Sequence, residues 1–125
     1  MMNARFELFV EDIQRSSQFY ENILEFVVTK RTKEYIGLAN DNVKIGLGAI
    51  SDLPSNHPLC LNNPDERKGV GIEIVLEVDD VAELYGKIRT FKYPISAPLM
   101  IQPWGLTDFR LVDPDGYYLR VTSKK

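Results

Sequence analysis

The side chains able to do chemistry in this 125-residue chain lie mostly on strand-like alternations. Near the C-terminus Tyr118, Arg120 and Thr122 alternate with Leu119 and Val121, so an extended chain places the arginine on a polar face. A guanidinium there could grip a carboxylate or carbonyl through its fork of N–H donors. Arg5, Glu7 and Phe9 share one parity of an N-terminal alternation, and Glu73, Val75 and Glu77 share one parity of a later one. The chain's only histidine, His57, lies three residues before its only cysteine, Cys60. That pair supplies two metal donors, where protein sites use about three or more, so both are read as structural or solvent-facing. Ser16-Ser17 has no histidine near it in sequence to activate a hydroxyl, and a serine nucleophile is set aside. Trp104, between Pro103 and Gly105, offers an indole face for stacking on a planar ligand. Phe9, Tyr35, Met100 and Tyr118 are further candidates to line a pocket, although single aromatics at strand spacing usually fill a core.

The composition narrows the partners. Apolar residues make up 44% and charged residues 26%, with a net charge of −3. That balance suits one globular domain and implies neither a nucleic-acid nor an anionic-membrane surface. Arg67-Lys68 beside Asp65-Glu66 reads as a solvated mixed run. A single cysteine allows no intrachain disulfide and fits a reducing compartment. No apolar run approaches the roughly 18 residues of a membrane span, and no signal-peptide pattern is evident, so a cytoplasmic protein is expected.

The elements that must position these residues come in two similar sets. Phe6, Leu8 and Val10 form the inward face of a strand. Asp12 is a helix N-cap, and Ile13, Ser16, Ser17, Tyr20, Ile23 and Leu24 recur at helical spacing. Extended runs follow at Phe26–Thr29, Tyr35–Leu38 and Val43–Gly48, with a turn at Asn40-Asp41-Asn42. Residues 51–69, with Pro54, Pro58 and Pro64, lose periodicity and read as a surface connection. The pattern then restarts. Ile72, Ile74, Leu76 and Val78 alternate, Asp80 caps a helix with Glu83 in capping-box position, and Val81, Leu84, Tyr85, Ile88 and Phe91 form an apolar stripe. Val10 matches Val78, Ile13 matches Val81 and Tyr20 matches Ile88, an offset of 68 residues throughout. Three extended runs close the chain, the last two joined by the turn Asp113-Pro114-Asp115-Gly116. The fold class is therefore α+β with two βαβββ repeats, repeat one at about 3–50, the connection at about 51–69 and repeat two at about 70–123.

Two of these stretches carry a resemblance. Val10 to Phe26 (Val-Glu-Asp-Ile-Gln-Arg-Ser-Ser-Gln-Phe-Tyr-Glu-Asn-Ile-Leu-Glu-Phe) resembles the opening signature of the vicinal-oxygen-chelate superfamily. That superfamily holds glyoxalase I, extradiol dioxygenases, fosfomycin-resistance enzymes and bleomycin-resistance proteins. Gln102-Pro103-Trp104-Gly105, Phe109 and Asp113-Pro114-Asp115-Gly116 are similar to its closing signature, above all in the bleomycin-resistance branch. The resemblance implies a curved mixed sheet in each repeat, helices outside, and a single domain over residues 1–125 whose paired concave faces enclose a ligand site. Arg5, Glu7, Phe9, Glu73, Val75, Glu77, Trp104, Tyr118 and Arg120 are then the candidate ligand-binding residues.

The same resemblance places the superfamily's metal ligands at Arg5, near Gly46, at Glu73 and at Arg120. A guanidinium has no lone pair to offer, glycine has no side chain, and one carboxylate is too few. The expectation is no metal and no cofactor, with Arg5 and Arg120 converging on Glu73 as an internal ion-pair network or a grip for an anionic or carbonyl group. The favoured reading is a metal-independent small-molecule binder of the sequestering, antibiotic-resistance kind, working as a symmetric homodimer. The alternative is a lyase, isomerase or dioxygenase-like enzyme with Glu73 as base, which two neighbouring arginines would oppose. Cavity charges of Arg5, Lys44 and Arg120 against Glu7, Glu73 and Glu77 nearly cancel, which counts against a cationic glycopeptide as ligand.

Overall fold

The computed structural model describes residues 1–61, 63 and 65–124, and separates into two compact units, 1–66 and 67–125. Each is a βαβββ module. The first runs β1 (Phe6–Val10), α1 (Ile13–Asn22), β2 (Val27–Arg31), β3 (Tyr35–Asn40) and β4 (Val43–Ala49), followed by a short 3-10 turn at Ile50–Asp52. The second runs β5 (Glu73–Val78), α2 (Val81–Thr90), β6 (Ala97–Ile101), β7 (Thr107–Val112) and β8 (Tyr118–Ser123). Both sheets have four strands, ordered β1-β4-β3-β2 and β5-β8-β7-β6, with a parallel pair at one edge (β1 with β4, β5 with β8) and antiparallel pairs elsewhere. The two helices begin and end at the expected 68-residue offset.

Local chemistry explains the boundaries. Asp12 caps α1 by accepting from the Gln14 and Arg15 amides at 2.9 and 3.2 Å. The helix stops two residues earlier than the apolar spacing suggests. Ile23 is already its C-cap, Glu25 takes a positive φ of 62°, and the Phe26 amide bonds back to Tyr20 O at 2.9 Å. Asn40 Nδ2 then donates to the carbonyls of Leu24 and Glu25 at 3.2 and 3.3 Å, pinning the turn that follows the helix. In α2 the Asp80 carboxylate accepts from the Glu83 amide at 3.0 Å. The Glu83 carboxylate, however, turns to Lys87 Nζ at 3.5 Å.

One side of each sheet is closed by its helix. Leu8, Val10, Tyr20, Ile36, Leu38, Ile45 and Leu47 are buried in the first module, and Ile74, Leu76, Ile88, Phe109, Leu111, Leu119 and Val121 in the second. The opposite side presents Arg5, Glu7 and Phe9 on or beside β1, and Glu73, Val75 and Glu77 on β5.

Three further sequence expectations fail in detail. Ile72 precedes β5 rather than lying in it and is 57% exposed, since Ile72 N bonds to Gly69 O in a turn. Phe91 caps α2 after the last helical residue and is 60% exposed, so the apolar stripe ends at Ile88. The third is the 65–68 run. Lys68 is buried, its Nζ 3.4 Å from Asp115 Oδ1, and Arg67 Nε donates to Gly116 O at 2.7 Å. The Asp113–Gly116 turn explains this. Asp113 Oδ1 takes the Asp115 and Tyr117 amides at 2.9 Å each, and Gly116 adopts φ +103°, leaving Gly116 O and the Asp115 carboxylate to receive the two cations.

Candidate functional site

In the first module the sheet face away from α1 is built on missing side chains. Gly46 on β4 sits between Glu7 of β1 and Gly37 of β3, and Gly37 pairs onward with Lys30 of β2. One row across the sheet thus reads Glu7, Gly46, Gly37, Lys30. A Cβ on Gly46 would fall 2.0 Å from Glu7 Oε2 and 2.1 Å from Tyr35 Oη, so those two groups arch directly over the glycine. There the Tyr35 hydroxyl lies 3.1 Å from both Glu7 oxygens, and Arg5 Nε donates to Glu7 Oε1 at 2.7 Å. Burial first, and the Glu7 hydrogen bond second, raise the Tyr35 pKa above the ordinary phenol value, so the hydroxyl stays a donor. Around this arch opens a cavity of about 640 Å³, lined by Arg5, Glu7, Lys30, Tyr35, Gly37 and Lys44 among others. Lys30 Nζ lies 6.0 Å from the Tyr35 ring centroid.

The second module carries the equivalent row with side chains in it. Val75 pairs with Arg120, and Arg120 with Arg110, so two guanidiniums stand directly opposite each other on neighbouring strands. Arg120 Nη2 meets Glu73 Oε1 at 2.9 Å, and its Cζ lies 5.9 Å from the Trp104 ring. Arg110 Nη2 approaches Asp108 Oδ2 only to 3.8 Å, while Gln102 Nε2 donates to Asp108 Oδ1 at 2.8 Å. A hydrogen bond with Tyr118 raises the Arg110 pKa further above its usual value. The Nε atoms of both arginines and Asp108 Oδ2 are buried without a hydrogen-bond partner. Trp104 itself stands 54% exposed in the β6–β7 turn, which Gly105 closes with φ +92°.

The expected site residues therefore sort by module. Arg5 and Glu7 are bonded to each other, with Tyr35 as third member. Glu73, Arg120 and Trp104 are in contact, and Tyr118 joins them through Arg110. Phe9 stands 6.5 Å from the His57 ring, Val75 is part-exposed beside Arg120, and Glu77 pairs in register with Thr122 on an exposed edge. Sequence reasoning missed Lys30, Arg110 and Asp108. Each lies on a strand whose alternation a bulge or a buried polar residue disguises: the β2–β3 register shifts between Val28 and Lys30, and Asp108 is 1% exposed.

The donor set at the superfamily's metal positions does not suit a divalent ion. Arg5, Gly46 and Arg120 offer no lone pair, and Glu73 is held by Arg120. Among the described residues no group of three or more His, Cys, Asp or Glu could hold a metal. His57 Nδ1 accepts from the Leu59 amide at 3.0 Å, and Cys60 Sγ lies 3.0 Å from Pro54 O, so both brace the connection locally. Ser17 Oγ donates to Glu21 Oε2 at 2.7 Å within α1. No helix among the described residues is long and apolar enough to cross a membrane.

Comparison with known proteins places this architecture. TioX of Micromonospora sp. ML1 shares 18% identity, each chain covering 98% of the other, with a TM-score of 0.80. A protein of unknown function from Agrobacterium tumefaciens str. C58 shares 22% identity over 100% of this chain and 95% of that one, with a TM-score of 0.78. A lactoylglutathione lyase from Agrobacterium tumefaciens shares 18% identity over 98% of this chain and 94% of that one, at 0.72. No curated protein matches the sequence significantly. Residues 4–121 match the model of the glyoxalase/bleomycin resistance protein/dioxygenase superfamily, and the chain belongs to that superfamily.

Proposed function

We propose that this superfamily member binds a small molecule without a metal ion, in the manner of the sequestering, resistance-type branch rather than as an enzyme. The observation that carries the reading is the donor set. Where the superfamily's metal chemistry would need lone pairs, this chain has Arg5, Gly46 and Arg120, and its one carboxylate, Glu73, is already ion-paired. The Glu73 carboxylate is engaged by Arg120 Nη2 at 2.9 Å, so a substrate would have to compete for it. The cavity of about 640 Å³ in the first module is of the size that small-molecule sites use.

The remaining candidates, Phe9 in the first module and Glu73, Val75, Glu77, Trp104, Tyr118 and Arg120 in the second, are ligand-binding residues in this reading. The two modules working as one domain, and two chains pairing as a symmetric dimer in the cytoplasm, belong to the same proposal. The test combines elemental analysis of the purified protein with thermal-shift screening of small organic ligands. Metal content far below one equivalent, with saturable stabilisation by a ligand and no turnover of it, is the expected result. Stoichiometric zinc, nickel or iron, or conversion of the stabilising ligand, overturns it.

A further inference from the structure

The charge balance of the first-module cavity names the class of ligand. Three cations, Arg5, Lys30 and Lys44, line it against one carboxylate, Glu7. Glu7 is already committed, to Arg5 at 2.7 Å and to the Tyr35 hydroxyl at 3.1 Å. Tyr35 adds no negative charge, since its phenol is held in the protonated form. Lys44 and Lys30 therefore have no carboxylate on this face, and among the described residues neither forms an ion pair. The positions are not scattered. Lys30 stands opposite Gly37 and Lys44 opposite Ala39, on either side of β3. Between them Gly37 and Gly46 add no side chains of their own: the Glu7–Tyr35 arch covers Gly46, and the atoms nearest Gly37 belong to Thr29, Lys30 and the edge of the Tyr35 ring. Cations without counter-ions along a cavity favour an occupant that brings negative charge.

We propose that this cavity takes an anionic ligand, a carboxylate or a phosphate monoester, whose body lies beside the Glu7–Tyr35 arch and whose charge meets Lys30 and Lys44. This rests on the small-molecule reading above and deepens it. It also reverses the preference a cationic glycopeptide would need. The Glu7–Tyr35 arch acts as a positioning wall: Arg5 and Tyr35 fix the one carboxylate away from the lysines, so they are not neutralised from within.

An isosteric probe series tests the inference. Benzoate, benzamide and benzamidine share a shape and carry negative, zero and positive charge, and phenyl phosphate adds the second anion class. Amide proton–nitrogen correlation spectra of the full chain report on Gly37 and Gly46. Benzoate or phenyl phosphate is expected to shift these two amides saturably, the tighter of the two identifying carboxylate or phosphate as the preferred group. Lys30→Glu and Lys44→Glu are expected to weaken that binding by about tenfold each, the scale of one charge-assisted contact. Both lysines are exposed, so the spectrum of each variant verifies an intact fold. Benzamide perturbing the same amides as strongly as benzoate overturns the charge inference and leaves the small-molecule reading standing. So does benzoate binding that ignores both substitutions. If none of the four probes moves Gly37 or Gly46, both readings fall for this face.

Discussion

The two modules place the same backbone under opposite fillings. Glu7, Gly46 and Gly37 form one cross-strand row in the first, and the structurally matching row in the second is Val75, Arg120 and Arg110. Two glycines on one sheet stand where two arginines stand on the other. The first face is consequently open, with its single carboxylate drawn aside and its lysines unbalanced. The second is filled by its own side chains, with Glu73 and Asp108 set against the arginines and Trp104 over one of them. A duplicated unit can thus separate two tasks that one copy would have to share. The register that fixes where side chains point is kept, while side-chain volume decides which face stays hollow.

The largest effect that would break this contrast lies in the filled module, where the two arginines should not be equivalent. Arg110→Ala leaves Asp108, 1% exposed with Oδ2 lacking any hydrogen-bond partner, as a buried charge without its cation. Breaking a tight buried pair costs about 3–5 kcal/mol, and the 3.8 Å separation here argues for about 2–3 kcal/mol. Arg120→Ala leaves Glu73, whose side chain is 31% exposed and can rehydrate, and it also relieves the like-charge opposition to Arg110. Its cost should be about 1 kcal/mol or less, most of it lost packing on Trp104. Urea unfolding of both variants measures the difference. Equal losses would show that the arginines act as one interchangeable filler and that the register assigns them no separate roles.

A smaller effect sharpens the open side. In Gly46→Ala the atoms nearest the new methyl belong to the far ends of two side chains, the Glu7 carboxylate and the Tyr35 hydroxyl. Both can swing away, so unfolding stability should change by no more than about 1 kcal/mol, part of which is the entropy a glycine gives up. The arch, however, cannot form with that methyl beneath it. Near-wild-type stability with a changed Tyr35 environment is the expected outcome, read by denaturant unfolding beside phenol absorbance. A loss of several kcal/mol would mean that the arch holds the sheet together rather than standing on it.

Much of the fold was legible because it depends on period and caps. The offset of 68 residues, the Asp12 and Asp80 caps, and the Asp113–Gly116 turn follow from residue types at fixed spacing, and the structure keeps all of them. The inward and outward parities of β1 and β5 were readable for the same reason. Legibility ended where tertiary partners decide. Lys68 looks like a surface residue until the Asp115 carboxylate is folded against it, and Phe91 looks like core until the helix stops at Thr90. Lys30 was hidden by the register shift in β2, which a periodic reading cannot anticipate. Arg110 and Asp108 lie in a run that Phe109 and Leu111 make look wholly apolar. The glycines at 37 and 46 were visible as letters, but what they make room for depends on which strands pair.

The finest test of the contrast is the titration of Tyr35. Its pKa is raised first by burial and then by the Glu7 hydrogen bond, with Arg5 working weakly in the opposite direction. A phenol that holds its proton more tightly when folded than when unfolded adds stability that is complete below the ordinary phenol pKa. That contribution is lost as the pH climbs through the raised value, since the phenol then ionises in the folded state too, where burial and Glu7 disfavour the charge. Wild-type protein should accordingly lose stability on the alkaline side, and Tyr35→Phe should flatten that part of the profile while leaving neutral pH little changed. Glu7→Gln removes the negative neighbour yet keeps the side-chain length. It should bring the Tyr35 titration only part of the way back, because burial, the larger cause, persists. If Glu7→Gln restored an ordinary phenol titration in full, the arch rather than the enclosing sheet would set the Tyr35 proton. If it moved nothing, the Glu7–Tyr35 contact would carry no energy, and the open face would lose the wall that keeps its lysines unpaired.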